Sequence, residues 1–193
     1  TGYLSGPMDV LGYEDPNMGW TWVVTDRVAK RIRGLWYTDT GGLRAETLAG
    51  YGTGRGDDDG FCESDCSVPA EVAPASARYS RLLEDPVGLA YDAHTGSLFV
   101  SEQDRGGVLG GPFIHCINTS VEPMQISVFA GAGEGAGYGA ADATRDEAWF
   151  DQPAGLAVHE TFLYVADSGN QVVRRIARHA TQPCMALGDA EDS

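Results

Sequence analysis

One stretch of this chain occurs three times in imperfect copies, and that repetition constrains the architecture before any single residue does. The fullest copy runs from Phe150 through Pro153-Ala154-Gly155-Leu156-Ala157 to Phe162-Leu163-Tyr164-Val165-Ala166-Asp167, then Asn170 and Arg174-Arg175-Ile176. A second copy carries Leu83, Pro86-Val87-Gly88-Leu89-Ala90 and Leu98-Phe99-Val100-Ser101-Glu102. The first carries Pro7-Met8-Asp9-Val10, Trp22-Val23-Val24-Thr25-Asp26 and Arg31-Ile32-Arg33. Within each copy, short apolar runs are punctuated by Gly, Asn and Asp, the pattern of antiparallel β-structure. Asp167-Ser168-Gly169-Asn170 offers the tolerance of positive φ that a tight connection needs. Helical periodicity is nearly absent; only Ala73 to Leu83 suggests a short helical turn.

These copies resemble the NHL repeat, a blade unit of β-propellers. The matching elements are the Pro-x-Gly-Leu-Ala start, the strand closing on an acid, a turn with Asn, and the Arg-Ile strand. A fourth element is Thr47-Leu48-Ala49-Gly50 in the first unit and Val128-Phe129-Ala130-Gly131 in the second, with Met185-Ala186-Leu187-Gly188 a weaker counterpart. In the second unit Glu102 stands where the repeat usually has Asp. The resemblance implies an all-β fold: a β-propeller segment of about three four-stranded NHL-like blades, an incomplete ring with long inter-strand loops. The units fall at roughly 1–50, 83–131 and 150–188 within residues 1–193, with long loops at 51–82 and 132–149. Pro7 to Pro86 spans 79 residues and Pro86 to Pro153 spans 67, whereas a compact blade needs about 40–45. Known rings use roughly four to eight blades. The expectation is therefore a piece of a longer protein, or a ring completed by another chain.

Charge narrows the function. A net charge of −15 argues against a nucleic-acid surface, because neutralising phosphates needs a positive face. The basic clusters, Arg27-Lys30-Arg31-Arg33 and Arg174-Arg175-Arg178, fall on repeat positions and are expected to serve the blades. No apolar run reaches the ~18–20 residues of a membrane-spanning helix.

Cysteines point to an oxidising compartment. Cys62 and Cys66 lie in a loop without apolar residues to form a core, where a local disulfide is the favoured reading over half of a zinc site. Cys116 and Cys184 either pair between the second and third units or remain buried thiols. Asn118-Thr119-Ser120 is a glycosylation sequon following a predicted strand. Together these features lead to the expectation of an extracellular or cell-surface protein.

No catalytic, cofactor or metal set emerges. Gly131-Ala132-Gly133-Glu134-Gly135 lacks the following helix and the lysine of a phosphate loop. Asp57-Asp58-Asp59-Gly60 lacks the alternation of a calcium loop. His94, His115, His159 and His179 do not recur at one repeat position, and each is expected to be exposed or hydrogen-bonded. Asp26, Glu102 and Asp167 do recur, which argues for a structural duty in every blade. The expected function is a non-catalytic protein-interaction or assembly module, binding a protein partner or neighbouring domains through its long loops. Trp149, beside the acidic 142–147 stretch, is the interaction candidate. The alternatives are a metal-dependent propeller enzyme, resembling amidating lyases or a hydrolase, and an intracellular NHL scaffold.

Overall fold

The computed structural model describes residues 4–12, 21–50, 83–103, 112–121, 124–131 and 148–185. Their regular structure is entirely β, in three antiparallel sheets with simple up-and-down order. Blade one contains β1 (Pro7–Gly12), β2 (Trp22–Asp26), β3 (Arg31–Tyr37) and β4 (Leu43–Gly50). Blade two contains β5 (Pro86–Asp92), β6 (Ser97–Glu102), β7 (Ile114–Asn118) and β8 (Gln125–Ala130). Blade three shows β9 (Pro153–His159), β10 (Phe162–Asp167) and β11 (Val172–Ala177). Among the described residues the sheets form an incomplete, propeller-like arrangement. A fourth strand of blade three was expected from Met185 to Gly188, of which only Met185 lies within the described residues; its carbonyl accepts a hydrogen bond from the His179 amide.

Each strand alternates side chains between two faces, and the two faces serve different neighbours. Val23, Ile32, Leu48 and Ala49 leave the back of blade one and pack on Leu89, Leu98, Val100 and Ile117 at the front of blade two. Ala90, Phe99 and Cys116 leave the back of blade two and meet Leu163, Val165 and Leu156 at the front of blade three. The apolar runs in the central strands therefore record burial on both sides, as in stacked sheets. Blade two, flanked on both sides, is the most deeply buried. Phe150, which opens the fullest copy of the repeat, is interior, as is its counterpart Leu83.

Hydroxyl groups join the blades where their first strands meet. The Thr25 hydroxyl accepts the Asp9 amide at 2.9 Å and donates to the Val87 carbonyl of blade two at 2.8 Å. Ser101 repeats the device, accepting the Gly88 amide at 2.8 Å and donating to Ala154 O of blade three at 2.7 Å. Gly88 is required there, since a Cβ would overlap the Ala154 carbonyl. The far end of the same interface carries a buried ion pair, Asp92 with Arg178 at 2.6 Å. It also carries the Cys116–Cys184 disulfide, which links positions 68 residues apart. Of the two expectations left open for these cysteines, pairing between blades is the one found. Cys184 lies in a turn with φ of 57° rather than in a strand.

Candidate functional site

The recurrent acid sits at the same place in each blade, the last residue of the second strand, and is buried in all three. Asp26 accepts the amides of Ser5 and Gly6, at 2.9 Å and 2.8 Å. Glu102 accepts those of Glu84, at 3.0 Å, and Asp85. Asp167 accepts the Asp151 amide at 2.7 Å. Each carboxylate thus holds the backbone that leads into its own first strand, where no sheet partner is available for those N–H groups. The structural duty expected from recurrence is present. Asp26 and Asp167 also reach the turn between their second and third strands, through Ala29 N and Asn170 Nδ2, but all three acids anchor the incoming segment. Positive φ in these turns falls on Lys30 and Gln171, not on the Gly169-Asn170 pair.

Register adds a second group to each acid. Arg33, His115 and Arg174 occupy equivalent third-strand positions, opposite Val24, Val100 and Val165. In blade three the pair is complete: Arg174 Nε meets Asp167 at 2.6 Å and its guanidinium also donates to Trp149 O at 3.0 Å. The same guanidinium lies over the Phe150 ring at 5.5 Å. Asn170 donates to Asp167 at 2.8 Å, so three donors converge on one carboxylate. A charged pair this enclosed is sustained only because its hydrogen-bonding capacity is filled.

Blade two substitutes Glu102 and His115. The imidazole is completely enclosed, 3.8 Å from the Glu102 carboxylate, and neither ring nitrogen makes a hydrogen bond of ordinary geometry. That corrects the expectation that every histidine is exposed or hydrogen-bonded. The reason is positional: His115 occupies the arginine register, where a shorter side chain stops short of the acid. Burial pushes its pKa from 6.5 down to about 4, with the Ser127 backbone pulling the other way. An unfolded chain binds this proton near pH 6.5, whereas the folded chain resists it until about pH 4. The unfolded state thus holds more protons across that window. Stability is intact above it and falls as pH drops through it, by on the order of 3 kcal/mol. His115→Leu is expected to flatten the slope there, read from urea midpoints at successive pH values. An unchanged slope would assign the titration to another group.

The other histidines stand apart. His94 and His159 are exposed, and His179 Nδ1 accepts the Gln182 amide at 3.0 Å. Among the described residues no three His, Cys, Asp or Glu side chains gather where a metal could sit. The basic clusters are largely engaged: Arg27 forks onto Asp85 and Lys30 meets Glu84, both across the first blade interface. Arg178 meets Asp92, while Arg175 covers the Phe162 ring at 4.5 Å.

Trp149 is half-buried, and its carbonyl anchors Arg174 and Asn170. Asn118 ends β7, half-buried, and its side-chain oxygen accepts Ser120 Oγ at 2.6 Å. Cys62, Cys66, the 57–60 acidic run and the suggested helical turn before Leu83 lie outside the described residues. No helix among the described residues is long and apolar enough to cross a membrane.

This geometry defines the class: an all-β, propeller-like arc whose blades are rooted by buried acids. A solved structure of similar fold is a structural-genomics protein of unknown function from Bacteroides thetaiotaomicron, 17% identical with a TM-score of 0.56. The match covers 81% of this chain and 32% of that one, so the chain spans about a third of its neighbour's length. No family model matches the chain, and no curated protein matches it significantly.

Proposed function

We propose that this chain is a non-catalytic interaction or assembly module of NHL-like blades, belonging to an extracellular or cell-surface protein. The observation that carries the reading is the Cys116–Cys184 disulfide between blades two and three. Such cross-links persist in oxidising compartments and are reduced in the cytosol. The sequon at Asn118, at the end of a strand beside an exposed Ser120, is consistent with the same compartment. NHL-like character is supported by the three acids and their equivalent backbone targets. Rigid blades with ion pairs and hydroxyls committed to holding one another form a scaffold, and the long segments at 51–82 and 132–149 are the candidates for contacts with a partner.

The test is intact mass of the protein from its native source, before and after reduction and glycan removal, with cross-link mapping on the same preparation. The expected result is an oxidised chain with a glycan on Asn118 and cross-links from 51–82 or Trp149 to a second protein. A fully reduced, unmodified chain without such cross-links would overturn the reading.

A further inference from the structure

We infer that the join between blades one and two is an acid-operated hinge: protonation of His115 opens it while the join between blades two and three stays closed. The inference rests on blade geometry and does not depend on the extracellular reading.

Of the four histidines only His115 is enclosed, and its ring nitrogens make no hydrogen bond of ordinary geometry. A proton there creates a charge that the closed structure cannot solvate. Water must therefore reach the ring, and register decides from which side. His115 pairs with Val100 and shares its face, and Val100 packs on Val23, Ile32 and Leu48 of blade one. Cys116 turns the other way, into the core shared with blade three and onto the disulfide.

The two joins are fastened differently. Between blades two and three lie the disulfide and the buried Asp92–Arg178 pair. Between blades one and two there is no covalent tie among the described residues. The ion pairs of that join are open to solvent: the Arg27 and Lys30 side chains are 41% and 46% exposed where they meet Asp85 and Glu84. The Asp9 carboxylate accepts the Leu89 amide across the same join at 2.8 Å. Glu102 on β6 is the acid beside the ring, and β8 places Val128 opposite it. Tyr91 on β5 shares the front face of blade two, and Arg44 and Glu46 lie on the face that β4 turns toward it. An opened His115 binds its proton near the ordinary 6.5, the enclosed one only at about 4, because burial disfavours the charge. The open-to-closed ratio of a motion that wets the ring should therefore rise roughly 30-fold between about pH 7.5 and about pH 5.

Hydrogen exchange of the 193-residue chain at those two pH values tests the hinge, with rates corrected for the intrinsic effect of pH. Two amides report on the two joins: Leu89 on Asp9 for the first, Cys184 on Ser97 for the second. Leu89 is expected to lose protection roughly 30-fold at the lower pH, while Cys184 changes by less than about twofold. His115→Leu is expected to hold Leu89 protection constant. Equal loss at both amides, or none at Leu89, would overturn the inference in the wild type alone. So would a pH response that persists in His115→Leu, which would assign the opening to Asp9 or to the carboxylates of the interface ion pairs.

Discussion

Asp167→Ala is expected to destabilise the protein by about 3–5 kcal/mol, the usual cost of stripping one partner from an enclosed ion pair. The loss is large because three donors depend on this carboxylate. Arg174 Nε, Asn170 Nδ2 and the Asp151 amide all point at it, and Arg174 is itself buried. In a domain of this size the melting temperature should fall by on the order of 10 °C. Asp167→Asn should be nearly as damaging, since its NH2 would confront a donor. Replacing Asp167 and Arg174 together with leucine removes both charges and should cost less than the sum of the single changes. Urea unfolding of the wild type, Asp167→Leu, Arg174→Leu and the double variant measures the coupling. Strict additivity would show that the pair does not act as a unit.

The strands were legible because their repeat is written in residues that packing demands. Pro-x-Gly starts mark β5 and β9, and an apolar run closing on an acid marks β2, β6 and β10. The fourth strand of blade one was read only from Thr47, whereas β4 begins at Leu43. Its first half, Leu43-Arg44-Ala45-Glu46, lies at the sheet's outer edge with Ala45 its one buried residue, and lacks a continuous apolar signal. Recurrence also flagged the three acids, but not their full role. Which backbone amides they hold depends on where the chain returns into the blade.

Contacts between blades were less legible. Thr25 and Ser101 carried a signal, a hydroxyl immediately before the acid within an apolar run, and it could have been noticed as a repeat feature. Asp92 and Arg178 had none: they are 86 residues apart and meet only because the fold stacks the back of one blade on the front of the next. His115 was misread because a single histidine on a strand gives no hint that its register belongs to arginine in the neighbouring blades. The cysteines lie between these cases: the sequence leaves pairing and free thiols equally open, and only topology brings β7 against the turn after β11.

Removing that cross-link should separate the contributions of the two blade interfaces. Closing a 68-residue span corresponds to about 4 kcal/mol of restricted unfolded-state entropy. Cys116→Ala with Cys184→Ala should therefore lower stability by an amount of that order, as should reduction of the unmodified protein once the enclosed Cys116 sulfur is reached. The effect should be unequal along the chain. The first interface retains Arg27–Asp85, Lys30–Glu84 and the Thr25 hydroxyl, none of which involves the disulfide. The second retains Arg178–Asp92 and Ser101–Ala154, but loses the tie that fixes the turn carrying Cys184. Ser97, which accepts the Cys184 amide at 3.0 Å, would lose that alignment as well. Amide exchange should consequently accelerate in β9–β11 before it does in β1–β4, because local opening follows the weakest cooperative unit. Uniform acceleration across all three blades would mean that the arc unfolds as one body and that the disulfide acts on the denatured chain alone. Protection lost first from blade three would show that the cross-link holds a separable unit in register.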